Sequence, residues 1–162
     1  MARAPLALLA LLVTSCSSDP APNSTGSQYP TDAVTLRAFL EAGKYTSWPH
    51  ESVAHITDGP HNVNVRVYLS PELKSSLDAK NREHPKGVAA VKEIFGSAGK
   101  DVVIGWTYFV KLEATSAAGG NWYWYEVQDK SKGAVSEGKG LSPCKGCHMS
   151  GNDMVQSGYP LK

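Results

Sequence analysis

The chain has 162 residues, 41% of them hydrophobic, with 16 basic and 15 acidic side chains for a formal net charge of +1. This length and composition suit one globular domain with its own core. The near-neutral balance excludes a protein that holds nucleic acid or an anionic membrane face by bulk charge. The chain has three cysteines, Cys16, Cys144 and Cys147.

The leading residues read as a targeting segment. Arg3 supplies a positive start, and Leu6 to Val13 is a run of eight apolar residues, too short to span a bilayer. The following Val13-Thr14-Ser15-Cys16 resembles a bacterial lipobox. Residues 1–15 are therefore read as a lipoprotein signal peptide and Cys16 as the lipidated first residue of the mature chain. Ordinary secretion with an unpaired Cys16 is the alternative. Residues 16–30, rich in Ser, Pro, Asn and Gly, make a flexible tether. Residues 31–162 form the domain. The expected location is the periplasmic side of a bacterial membrane, the outer membrane favoured, with the lipid holding a soluble domain there.

Residues 31–42 carry Val34, Leu36, Phe39 and Leu40 near one stripe, with Thr31 or Asp32 as a cap and Gly43 as a stop, which predicts a helix. Residues 45–60 read as loop. The period then changes to two. His61, Val63, Val65 and Val67 alternate with Asn62, Asn64, Arg66 and Tyr68, as on a half-buried strand. Ser70-Pro71 opens a short helix with Leu73 and Leu77 one turn apart. Residues 88–95, 101–113 and 121–127 are three further strands, the last dense in aromatic residues. Residues 128–143 read as loop. The connections suit antiparallel neighbours. The expected fold is α+β, mainly an antiparallel β-sheet with an N-terminal helix, a short inserted helix and a C-terminal haem c segment.

That last assignment rests on Cys144-Lys145-Gly146-Cys147-His148, a C-x-x-C-H. The spacing suits c-type haem attachment. Two thiols form thioethers to the vinyl groups, and the adjacent imidazole becomes the proximal ligand. Three alternatives compete. A redox dithiol opens a helix after a strand in a parallel βαβ context. A closed zinc site needs a fourth ligand. A plain Cys144–Cys147 disulfide is permitted by an exported compartment. For the sixth position, Met149 adjoins the proximal histidine and Met154 reads as core filler. His/Met ligation is therefore not expected. The iron is five-coordinate or capped by histidine, lysine or water, which opens it to small ligands.

These residues are similar to the cytochrome P-460 and cytochrome c′-beta family. The likeness covers roughly residues 34–160. It runs through "LRAFLEAG", "GPHNVNVRVYLSPEL", "HPKGVAAVKEIF", the Gly105-Trp106 strand, "NWYWYE" and "CKGCHMSGNDMV". The resemblance implies a largely antiparallel β fold, a C-terminal haem c motif and a homodimer. It implies either hydroxylamine oxidation, with a covalent lysine–haem bond, or binding of nitric oxide and carbon monoxide at an apolar distal face without that bond. The lysine of the first type lies in a Val-Lys-Glu pattern, which Val91-Lys92-Glu93 matches, so Lys92 is the candidate for a cross-link. Lys92 shares its strand face with Val88, Ala90 and Ile94, where an ammonium is costly to bury. Its alternative is an ammonium reaching solvent or paired with Glu93 or another carboxylate. His61 falls near a position where relatives keep a distal phenylalanine. It could move protons or ligate iron. His50, His55 and His84 read as solvated loop residues.

The expected site is thus Cys144, Cys147 and His148 for attachment and iron, with His61 and Lys92 on the distal side. The implied cofactor is one covalent haem c, and the implied partners are a small nitrogen compound and a soluble redox protein. A non-catalytic electron-transfer or gas-sensing haem lipoprotein is the second reading.

Overall fold

A computed structural model describes residues 27–57, 63–96 and 101–162. The leader, Cys16 and His61 lie outside the described residues. The elements in chain order are α1 (Ala33–Glu41), β1 (His55–Ile56), β2 (Asn64–Leu69), α2 (Pro71–Asp78), β3 (Ala89–Phe95), β4 (Val103–Lys111), β5 (Trp122–Val127), β6 (Ser136–Lys139) and α3 (Ser142–His148). The six strands form one antiparallel sheet in sequence order. The α+β reading holds. Among the described residues no helix is long and apolar enough to cross a membrane.

The helix starts follow local chemistry. Asp32 caps α1, its Oδ1 accepting from Thr35 N at 2.9 Å, which satisfies a donor the helix cannot. Leu36 and Leu40 are buried, while Val34 is 82% exposed and falls off the expected stripe. Ser70 caps α2, with Pro71 in its first turn.

Side chains alternate across the sheet, and both faces are covered. On one face, Leu36 and Leu40 of α1 pack over Tyr68, Ala89, Val91, Trp106, Tyr108, Tyr123 and Tyr125. On the other, Leu73 of α2, Met154 and Val155 pack with Val67, Leu69, Val88, Ala90, Phe109, Trp122 and Trp124. Double coverage explains why consecutive aromatic residues in β5 are all buried.

Two strands differ from expectation. The stretches read as loops at 45–60 and 128–143 contain β1 and β6, so the sheet has six strands rather than four. Both are edges. Ser136–Lys139 has no apolar period and joins the sheet through backbone pairing to β5. His84 is a second correction. It is 1% exposed rather than solvated, and its Nδ1 lies 2.9 Å from Ser76 Oγ. The turn after α2 folds it back against that helix.

Candidate functional site

The second face of the sheet carries side chains in transverse rows set by register. One row runs Val67, Lys92, Thr107, Glu126, Ser136, each paired with the next across neighbouring strands. The adjacent row runs Leu69, Ala90, Phe109, Trp124, Gly138. The first row is mainly polar and the second mainly apolar.

Helix α3 lies over the aromatic row. The His148 ring centroid is 4.7 Å from Trp124 and 6.0 Å from Phe109. Between helix and sheet is a cavity of about 490 Å³, lined by Lys92, Thr107, Phe109, Trp124 and Glu126 from the sheet and by Cys144, Cys147 and His148 from α3. That volume falls in the range of roughly 300–1,000 Å³ usual for small-molecule and cofactor sites. Four of the six site residues expected from the sequence, Lys92, Cys144, Cys147 and His148, thus meet at one cavity.

The imidazole is oriented. His148 Nδ1 lies 2.7 Å from the Met154 carbonyl oxygen. A carbonyl only accepts, so Nδ1 carries the proton and the ring lone pair sits on Nε2. Met154 is buried in the core, as expected, and Met149 is exposed.

Cys144 and Cys147 are free thiols, not a disulfide. Burial pushes the Cys144 thiol above its ordinary value, and the Glu126 carboxylate adds to this. A redox dithiol needs the opposite shift, because its nucleophile is the thiolate. The cysteines do open a helix directly after a strand, contrary to the expected order of elements. That strand is antiparallel, however, and the parallel βαβ setting is absent among the described residues. Among those residues no group of three or more His, Cys, Asp or Glu side chains is set to hold a metal ion. Cys144, Cys147 and His148 therefore do not converge as the ligands of a closed zinc site must.

Lys92 is half-buried on the cavity floor. Burial lowers its pKa from the ordinary value, against the opposing pull of Glu51 and Glu126. Lys92 makes no hydrogen bond or ion pair with another described residue. Pairing with Glu93 is excluded. Glu93 faces the α1 side, where its carboxylate accepts from Tyr45 Oη at 2.9 Å and Tyr68 Oη at 3.1 Å.

Sequence reasoning missed Thr107, Glu126 and Glu51. Glu126 is the one carboxylate inside "NWYWYEV", which could have flagged it; Gln128 Nε2 donates to its Oε1 at 3.0 Å. Glu51 is buried, accepts from Val67 N at 2.9 Å, and lies 3.4 Å from His55 Nδ1. The aromatic residues of β4 and β5 are buried within this chain; Phe109 and Trp124 turn to the cavity, while Tyr108 and Tyr125 pack on the α1 side. The chain matches no family model and no curated protein.

Proposed function

We propose that the chain is a c-type mono-haem protein similar to the cytochrome P-460 and cytochrome c′-beta family, acting on small nitrogen species. The observation that carries the reading is α3 itself. It presents two free thiols and a tautomer-fixed imidazole along one cavity over an aromatic sheet face.

The residues fit the group. Cys144 and Cys147 would form the thioethers and His148 Nε2 would be the proximal ligand. A haem needs one iron ligand from this segment, unlike a closed zinc site. Phe109, Trp124, Ala90 and Val67 offer the apolar bed that a macrocycle needs. The Trp124 indole N–H is buried without a described partner, and a carboxylate-bearing ligand would satisfy such a donor. Bound there, the haem would supply an iron for small-ligand binding and one-electron transfer.

The protein's own residues then divide the work. The Met154 carbonyl keeps the proton on His148 Nδ1. The aromatic row excludes water. Lys92 Nζ and the Glu126 carboxylate stand in the polar row as groups able to hold protons, which oxidation of an N–H or N–O compound releases. Whether Lys92 is bonded to the ring separates hydroxylamine oxidation from nitric oxide binding. The same reading carries a homodimer, a soluble electron acceptor and a lipid anchor at Cys16 on the periplasmic side. A second reading, reversible gas binding or electron transfer without chemistry, is favoured by the apolar half of the cavity.

Anaerobic incubation of the haem-loaded chain with hydroxylamine and an artificial acceptor, alongside nitric oxide titration, tests this proposal. Turnover or nitric oxide binding supports it. Neither would remove it.

A further inference from the structure

The turn that follows the motif is held in an unfavourable backbone conformation. Asn152 and Val155 close it, with Asn152 N to Val155 O and Val155 N to Asn152 O both at 3.0 Å. The two corner residues, Asp153 and Met154, have φ of +48° and +71°. Positive φ at both central positions favours Gly and Asn. Aspartate adopts it more readily than methionine, whose side chain gives no local hydrogen bond to offset the cost.

Side chains on either corner pin the turn. Asp153 Oδ2 accepts from Lys111 Nζ at 2.7 Å and from His84 N at 2.6 Å. Asp153 Oδ1 accepts from Ser116 Oγ, which also takes the Trp122 indole N–H at 2.8 Å. Lys111 is fully buried and donates as well to the His84 carbonyl at 2.6 Å. The Met154 side chain fills a hollow over Gly119, where an added Cβ would come within 2.9 Å of its sulfur. The product of all this is one carbonyl, that of Met154, aimed at His148 Nδ1.

A buried ion pair is weak grounds for stability alone, because desolvation consumes most of its attraction. Strained backbone held by surrounding contacts points instead to function. We propose that Lys111 and Asp153 are positioning residues for His148. They fix the turn so that the Met154 carbonyl holds the Nδ1 proton, which sets the ring orientation and its basicity toward a metal. The inference rests on His148 being the ligand of the proposed haem.

Potentiometric titration of the full haem-loaded chain tests it, comparing wild type with Asp153→Asn. Glu93→Gln, on the opposite face, controls for general loosening. A weakened Nδ1 bond makes His148 a poorer donor, so the midpoint potential rises in Asp153→Asn and stays put in Glu93→Gln. Equal potentials in wild type and Asp153→Asn overturn the inference. If Asp153→Asn does not fold, Ser116→Ala gives the same comparison by removing one bond to Oδ1. If the full chain takes up no haem, the haem reading fails by itself, and nitrogen-15 NMR of His148 decides the positioning. The Nδ1–H tautomer should dominate in wild type and give way to Nε2–H in Asp153→Asn. An unchanged tautomer would overturn it.

Discussion

Lys92 and Glu93 are neighbours in β3 and face opposite sides of the sheet, one toward the cavity under α3 and the other toward Tyr45 and Tyr68 beneath α1. Adjacent opposite charges in sequence invite pairing, and strand geometry forbids it. The ammonium must find its compensation inside the cavity, and the carboxylate finds its own in two hydroxyls.

Lys92→Met keeps an unbranched side chain, one atom shorter, and removes the charge. No described residue loses a hydrogen bond, so stability should hold or rise, and haem content should be unchanged. Hydroxylamine turnover should fall by about 10²-fold or more, the scale of a lost acid–base group. A melt and an anaerobic rate measurement on the same preparation check both halves. Unchanged turnover would remove Lys92 from the chemistry.

Glu93→Gln should do the reverse. Its side chain is buried and accepts from two tyrosines, so the substitution should cost about 1–3 kcal/mol. The absorption spectrum should not move, because the sheet separates Glu93 from the cavity. Chemical denaturation and a spectrum suffice to check it.

Lys111→Met leaves Asp153 as a buried carboxylate without its cation, at an expected cost of about 3–5 kcal/mol. Acid should erase the difference. Burial works to raise the Asp153 pKa, but Lys111, Ser116 and the His84 N–H together hold it below the ordinary 3.8. A depressed carboxylate contributes stability above its unfolded pKa and loses it as pH falls through the folded one. Urea melts from pH 7 down to pH 3 should therefore converge for wild type and variant at the acid end.

His84 gives a pH effect in a different window. Burial lowers its pKa from 6.5, against the pull of Asp153, and its Nε2 is buried without a described partner. A base depressed on folding is protonated more readily in the unfolded chain. Its stability contribution is thus complete above 6.5 and declines as pH drops below it, by up to about 1.4 kcal/mol per unit. His84→Asn should flatten the loss between pH 7.5 and 5.5. An equally steep loss in the variant would assign that window to other groups.

How far the sequence carried the fold depended on where the information lay. The helix start at Ser70, a cap at Thr31 or Asp32, and the alternation through Val65 and Val67 are local signals and legible in the sequence; the fold selects Asp32. The edge strand Ser136–Lys139 has neither alternation nor branched residues. It forms because β5 offers unpaired backbone, which no local pattern reports. The site divides in the same way. Cys144, Cys147 and His148 are close in sequence, so the C-x-x-C-H pattern is visible there. Glu126 joins Lys92 through two strand registers by way of Thr107. Lys111 and Asp153 are brought together only by the fold. His84 was misread because loop composition says nothing about the helix that the loop folds back upon.

The central claim is covalent haem at Cys144 and Cys147 with His148 beneath the iron. The direct measurement is an absorption spectrum and denaturing mass analysis of the full chain, expressed with the haem c maturation system. The account predicts a Soret band and a chain heavier by one haem that survives denaturation, lost when both cysteines are replaced by alanine. A Soret band shifted strongly to the red, and lost in Lys92→Met, would add the lysine bond. A chain of unmodified mass at both cysteines, with no Soret band, would contradict the claim.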